Sequence, residues 1–353
     1  MKSLRIIILI ILASAAFYLW KSDKPKDYSS ILANSEVLSI PLGLPPVPWP
    51  ANNPYTKKKA ELGRLLYFDK RLSSDGTISC ASCHSIPRAF TDQKKVSTGI
   101  KGRHGTRHAS TVIDACYQTH LFWDGRSPSL EDQVMGPIGN PKEMTLADNI
   151  HKAHQECHDR VHQIAGYRTL FKETFGTDEC SIEDIAKAIA TFERTILSGN
   201  SPFDRYNAGD KTAMSAEEID GYKIFLRSGC ANCHFGPIFT DGRFLNIGVN
   251  INVPNPDLGR YEITKEEKDW GSFKIPTLRE VEHTYPYMHD GSIATLEEVV
   301  EYYDKGCTPN RNLNPLIHPL RLNDQDKKAL VKFMHALSGQ GWQHFTEPVN
   351  FPD

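Results

Sequence analysis

Apolar residues recur at helical spacing along most of the chain. Between Ala60 and Phe68 they return every three or four positions, the stripe of an amphipathic helix. Ser181-Ile-Glu-Asp184 has the form of a capping box and predicts a helix reaching about Leu197. Ser215-Ala-Glu-Glu218 predicts another to about Leu226, stopped near Gly229, and Thr295-Leu-Glu-Glu298 opens a third. Asp324–Leu337 makes the last, and the run ADNIHKAHQECHDRVHQ reads as one more. Alternation of period two is sparse, so the pattern predicts a mainly α protein with long loops. Residues 41–54 interrupt it with six prolines, a stiff extended lead-in. At the very start, Lys2 and Arg5 precede an apolar run from Ile6 to Trp20. A helix of that length spans about 22 Å, short of the roughly 30 Å hydrocarbon core. It reads as an export signal over residues 1–22, either cleaved near Ala13-Ser14-Ala15 or retained as a membrane anchor. The mature protein is then expected in the periplasm or otherwise outside the cytoplasm.

Composition narrows the class. The chain has 353 residues, which at roughly 150 per domain suggests two domains. Hydrophobic content of 39% excludes a disordered or polytopic membrane chain. Lys plus Arg is 41 against 43 for Asp plus Glu, so the basic footprint of a nucleic-acid binder is absent. A repeat then sets the organisation. Cys80-Ala-Ser-Cys83-His84 is followed by Phe90-Thr91-Asp92 and Gly99, and Cys230-Ala-Asn-Cys233-His234 by Phe239-Thr240-Asp241 and Gly248. Two domains of one design are expected, residues 57–205 and 206–345, after a lead-in over 23–56. The boundary falls in the polar stretch near 200–215.

Cys-x-x-Cys-His is the attachment pattern of c-type haem. Two thiols three apart can add to the two vinyl groups of one porphyrin edge, and the next histidine reaches the iron as proximal ligand. Zinc would need four ligands close together, and a redox dithiol would want a βαβ setting. Two covalently bound haem c groups are therefore expected, on Cys80, Cys83, His84 and on Cys230, Cys233, His234. A protein ligand on the far side of both irons would make an electron carrier, whereas one open position would make a catalyst. Cys116, Cys157, Cys180 and Cys307 show no common spacing, and in an exported protein they admit three disulfide pairings. His151, His154, His158 and His162 with Cys157 have a spacing that could hold a metal, or simply line a solvated helix face.

From about Leu62 to Leu337 the chain resembles the bacterial di-haem cytochrome c peroxidase and MauG superfamily. The likeness rests on ELGRLLYFD, both haem motifs, FTD with VSTG, STVIDA, FWDGR and LEDQVMGPIGNPKEM. It continues through FKIPTLREV, TYPYMHDGS and TLEEVVEYY. The resemblance implies two cytochrome c-like haem domains, the first reacting with hydrogen peroxide and the second handling electrons. It places Glu143 and Gln133 as the distal acid–base pair of the first haem and Trp123 between the haems. It also suggests one calcium ion on the backbone of Thr284 and Pro286.

Three departures from the family pattern bear on function. Peroxidases of this family carry a histidine after VSTG that blocks the first iron until the second haem is reduced; here Ile100 stands there, with His104 and His108 as nearby substitutes. They place a methionine on the second iron, where Tyr303 stands, as in MauG; Met288 is the alternative sulfur donor. A phenolate would lower the potential that a methionine raises. The asparagine that helps hold calcium is His108, and imidazole is a poor calcium ligand. The expected function is a di-haem peroxidase reducing hydrogen peroxide, with electrons from a small cytochrome c or cupredoxin. The alternatives are a MauG-like enzyme oxidising residues of a protein substrate through a bis-Fe(IV) state, and a non-catalytic di-haem electron-transfer cytochrome.

Overall fold

The computed structural model describes residues 38–353, of which Ile40–Asp353 form one compact unit. The expected signal or anchor lies outside the described residues, as does the lead-in up to residue 37. Among the described residues, no helix is long and apolar enough to cross a membrane. The helices of six residues or more among the described residues are α1 (Lys57–Phe68), α2 (Leu130–Ile138), α3 (Ile150–His162), α4 (Ala165–Phe175), α5 (Ile182–Glu193), α6 (Pro202–Asn207), α7 (Ala216–Arg227), α8 (Leu296–Asp304) and α9 (Asp324–His335). One short antiparallel pair, β1 (Phe244–Leu245) and β2 (Phe273–Lys274), joins them. The mainly α expectation holds.

Side-chain caps explain most helix starts. Ser215 and Thr295 each accept from the backbone N–H three residues on, and Glu218 and Glu298 reach back, closing two of the three predicted capping boxes. Ser181 accepts from the Asp184 N–H, but Asp184 turns to Lys187 instead of closing the box. That helix ends at Glu193 rather than Leu197, because Thr195 and Ile196 donate to carbonyls three residues back and tighten the chain into a turn. The polar stretch read as a boundary contains α6, whose capping box joins Ser201 and Asp204.

Two cores of matching design follow. In the first, α1 crosses α5 at Gly63, where a Cβ would stand 1.9 Å from the Ala188 carbonyl oxygen; Phe192 packs beside it. In the second, α7 crosses α9 at Gly221, where a Cβ would stand 1.9 Å from the Ala329 carbonyl oxygen, with Phe333 alongside. The missing side chains let the helix backbones touch. Gly221→Ala is expected to force that crossing apart and cost about 1–3 kcal/mol by overpacking, read as a lower unfolding midpoint. An unchanged midpoint would mean that the crossing tolerates displacement. Past Leu337 the chain returns to the first core, where Trp342 packs against Phe90 and Phe345 against Phe192.

Candidate functional site

Each Cys-x-x-Cys-His segment opens on its own cavity. The first, of about 420 Å³, is lined by Cys80, Cys83, His84, Trp123, Gln133 and Glu143, among others. The second, of about 260 Å³, is lined by Cys230, Cys233, His234, Met288 and Tyr303, among others. The FTD repeat acquires a structural meaning here. Nδ1 of His84 lies 3.1 Å from the Phe90 carbonyl oxygen, and Nδ1 of His234 lies 3.1 Å from that of Phe239. Since a carbonyl only accepts, both rings carry the proton on Nδ1 and leave the Nε2 lone pair free. Phe90 and Phe239 hold φ values of 54° and 51°, a left-handed backbone rare for aromatic residues, and so turn their carbonyls to the imidazoles. Thr111 and Thr277 brace both loops through hydrogen bonds of 2.7 and 2.6 Å to the carbonyls of Ala89 and Ile238.

The chemistry of this donor set fits a covalently attached haem. Burial lowers the pKa of His84 and of His234, keeping each imidazole in the neutral form that binds a metal. Burial pushes the Cys83 and Cys230 thiols up to about 11. A redox dithiol needs the opposite shift, so a thioredoxin-like pair does not fit. Among the described residues, no group of three or more His, Cys, Asp or Glu side chains could hold a metal ion, so zinc and the histidine-helix site find no support. His154, His158 and His162 instead meet the backbone carbonyls of Met135, Cys180 and Asp178. Cys116, Cys157, Cys180 and Cys307 are buried free thiols, with no disulfide among them.

Around the first cavity, Asn140 Nδ2 donates to Glu143 Oε1 at 2.6 Å, leaving Oε2 without a hydrogen-bond partner among the described residues. Burial raises the Glu143 pKa, against the opposing pull of Arg126. Ile100 is fully buried and does not line the cavity; its amide donates to the Glu143 carbonyl oxygen at 2.9 Å and so anchors that residue's backbone. His104 sits at the surface beside Thr98. His108 lies in the wall common to both cavities, with Nδ1 near the Lys94 carbonyl oxygen and Nε2 buried without a partner among the described residues. Trp123 lies in the same wall, its indole N–H donating to the His108 carbonyl oxygen at 2.9 Å. Thr284 and Pro286 border the second cavity.

A second structural repeat sharpens the comparison. The turns Trp123-Asp124-Gly125 and His289-Asp290-Gly291 carry the bridges Leu121 to Ser127 and Tyr287 to Ile293. Ser129 and Thr295 then cap α2 and α8. In that register Tyr303 on α8 corresponds to Pro137 on α2, and each lines its own cavity. Tyr303 has a hydroxyl with no protein hydrogen bond among the described residues, whereas Tyr302 is bonded to the Ile247 carbonyl oxygen. Proline has no donor atom to offer an iron. Gln133 corresponds to Val299, so the amide that Gln133 gives the first cavity is replaced by an apolar side chain in the second.

Comparison with known proteins agrees with this architecture. The family model described as di-haem cytochrome c peroxidase matches residues 57–212. The chain is 42% identical over 294 residues to cytochrome c551 peroxidase of Nitrosomonas europaea, covering 83% of each. It is 35% identical over 303 residues to the methylamine utilization protein MauG of Methylophilus methylotrophus, covering 83% of this chain and 86% of that one. A solved MauG-like protein associated with microbial copper homeostasis superposes with a TM-score of 0.81 at 30% identity, covering 94% of this chain and all of the other.

Proposed function

Because the chain belongs to the di-haem cytochrome c peroxidase family, a family of haem-dependent oxidoreductases, we propose that it is an exported enzyme that reduces hydrogen peroxide in its first half. Electrons reach it through its second half from an outside donor, a small cytochrome c or cupredoxin. Cys80, Cys83 and His84 would hold one haem c, and Cys230, Cys233, His234 and Tyr303 the other. Those groups supply, when bound, a redox-active iron at which peroxide can be reduced and a second one that stores and passes electrons.

The pairing of Pro137 with Tyr303 carries this reading. One pocket is lined by both its histidine and a tyrosine hydroxyl, and the matching place in the other offers only a ring that cannot coordinate. Gln133 and Glu143 both line the pocket without that hydroxyl. Glu143 can hold a proton at Oε2, and Asn140 keeps its other oxygen fixed. Gln133, on the same cavity wall, can orient peroxide or a water by its amide. Trp123 supplies an aromatic ring in the wall common to both pockets. A calcium ion on the carbonyls of Thr284 and Pro286 would draw most of its about 6–8 oxygen ligands from water, since His108 offers nitrogen.

Ile100 and Tyr303 favour a second reading, a MauG-like oxidation of residues in a protein substrate, which shares the peroxide step. Electron paramagnetic resonance of the oxidised protein tests the common premise. One high-spin and one low-spin ferric signal are expected, and Tyr303→Phe should remove the low-spin one alone. Two low-spin signals in the unmodified protein would replace the enzyme with an electron carrier. Peroxide consumed without prior one-electron reduction would favour the MauG-like branch.

A further inference from the structure

The wall between the two cavities contains a buried cation with no anionic partner among the described residues. Lys274, on β2, lines both cavities together with Gln118, Trp123 and His108. It is only 7% exposed. Its ammonium donates to Gln118 Oε1 and, at 2.9 Å, to the His120 carbonyl oxygen, both neutral groups. Its backbone N–H is fixed to the Trp123 carbonyl oxygen at 2.8 Å, so the side chain is anchored to the same wall. The carboxylate that acts on it most, Asp124, is already committed. Oδ2 of Asp124 accepts from Arg107 at 2.6 Å and from Arg126 at 2.8 Å. Burial with neutral partners pushes Lys274 down to about 7. A lone buried ammonium costs several kcal/mol unless an anion meets it, and no side chain of the described residues forms an ion pair with it.

Resting on the haem assignment above, we propose that Lys274 is the anion-holding residue of this wall, pairing with propionate carboxylates of the haems in both cavities and raising the reduction potential of each. Propionates are the negative groups that the porphyrin itself carries, so each cavity receives its anion together with its cofactor. The ammonium has three donors, and two already rest on Gln118 and His120. The third is free, and because the side chain borders both cavities it can be shared between carboxylates approaching from either side. A positive charge beside a haem stabilises the state that has gained an electron. Removing that charge therefore lowers the potential.

Spectroelectrochemical titration of the purified holoprotein, in a buffer free of carboxylates, tests the assignment. In Lys274→Met the reduction equilibrium of both haems should shift about tenfold toward the oxidised form, equal to 59 mV for a one-electron couple. Lys274→Arg, which keeps the charge, should hold both midpoints in place. If the methionine variant takes up fewer than two haems, the same outcomes are read from Lys274→Gln, which retains hydrogen bonding without charge. Midpoints that stay put in the neutral variant, or move at one haem only, would overturn the proposal. A pyridine haemochrome assay of the unmodified protein separates this from its premise: fewer than two haems per chain would sink the haem assignment itself.

Discussion

Replacing Glu143 by glutamine is expected to slow the reaction with hydrogen peroxide by about 10²–10⁴-fold, the usual contribution of a placed acid–base group. The substitution is close to isosteric, and the side-chain oxygen that remains can still accept from Asn140, which now meets Glu143 at 2.6 Å. The backbone anchor through the Ile100 amide is also untouched. In the role proposed for it, what disappears is the ability to carry a proton from one peroxide oxygen to the other as the O–O bond breaks. Burial holds the Glu143 carboxyl above its ordinary pKa, so the proton and its acceptor are closer to balance near neutral pH than for an exposed glutamate. Stopped-flow mixing of the oxidised protein with peroxide measures the step, and the haem spectrum before mixing reports an intact pocket. A rate within about threefold of the unmodified protein, with that spectrum preserved, would remove Glu143 from the proton transfer and leave Gln133 or bound water to perform it.

The proposed haem-attachment residues could be picked out in the sequence because their chemistry demands fixed neighbours: two thiols and a histidine along five residues. The helices with strong caps at Ser215 and Thr295 were legible for a similar reason, since a cap is a local hydrogen bond between nearby residues. The cavity wall was not. Lys274 sits in FKIPTLREV, where its neighbours Phe273 and Ile275 suggest only a short buried strand, and nothing local says that its ammonium meets Gln118, far back along the chain. Phe90 and Phe239 stood out as a repeated motif, but their role lies in carbonyls turned by a left-handed backbone rather than in their rings. The equivalence of Pro137 and Tyr303 emerged only once the two capped helices could be set in register. Helix α2 itself escaped the periodicity, since Gly136 and Pro137 dilute its apolar face. The returning tail escaped for a different reason: Trp342 meets Phe90 and Phe345 meets Phe192 across long separations in the chain, and no short window along the sequence contains both partners.

A second large effect is expected in folding rather than chemistry. Arg279→Met should destabilise the protein by about 3–5 kcal/mol, the cost of breaking a buried ion pair from one side. Arg279 is 1% exposed and ties separate elements together. Its two terminal nitrogens each meet one oxygen of Asp204 on α6 at 2.9 Å, and Nε donates to the Pro237 carbonyl oxygen at 2.6 Å. A planar guanidinium matched to a carboxylate in this way is the strong form of the interaction. Asp114 stands 4.0 Å away, and burial raises its carboxyl to about 7 although Arg279 pulls it down. Without the arginine, two acids would therefore remain buried with no cation between them. Asp204 also caps α6 through Ser201, so its removal would confound the comparison, whereas Asp204→Asn can retain an oxygen for that cap. The double variant Arg279→Met with Asp204→Asn should recover a large part of the loss, because the penalty belongs to the stranded charge. Denaturant unfolding followed by circular dichroism of the holoprotein measures both. A single variant that loses less than about 1 kcal/mol would show that water reaches this cluster on unpairing, and a double variant no better than the single one would locate the cost in lost packing around Arg279 instead of in charge.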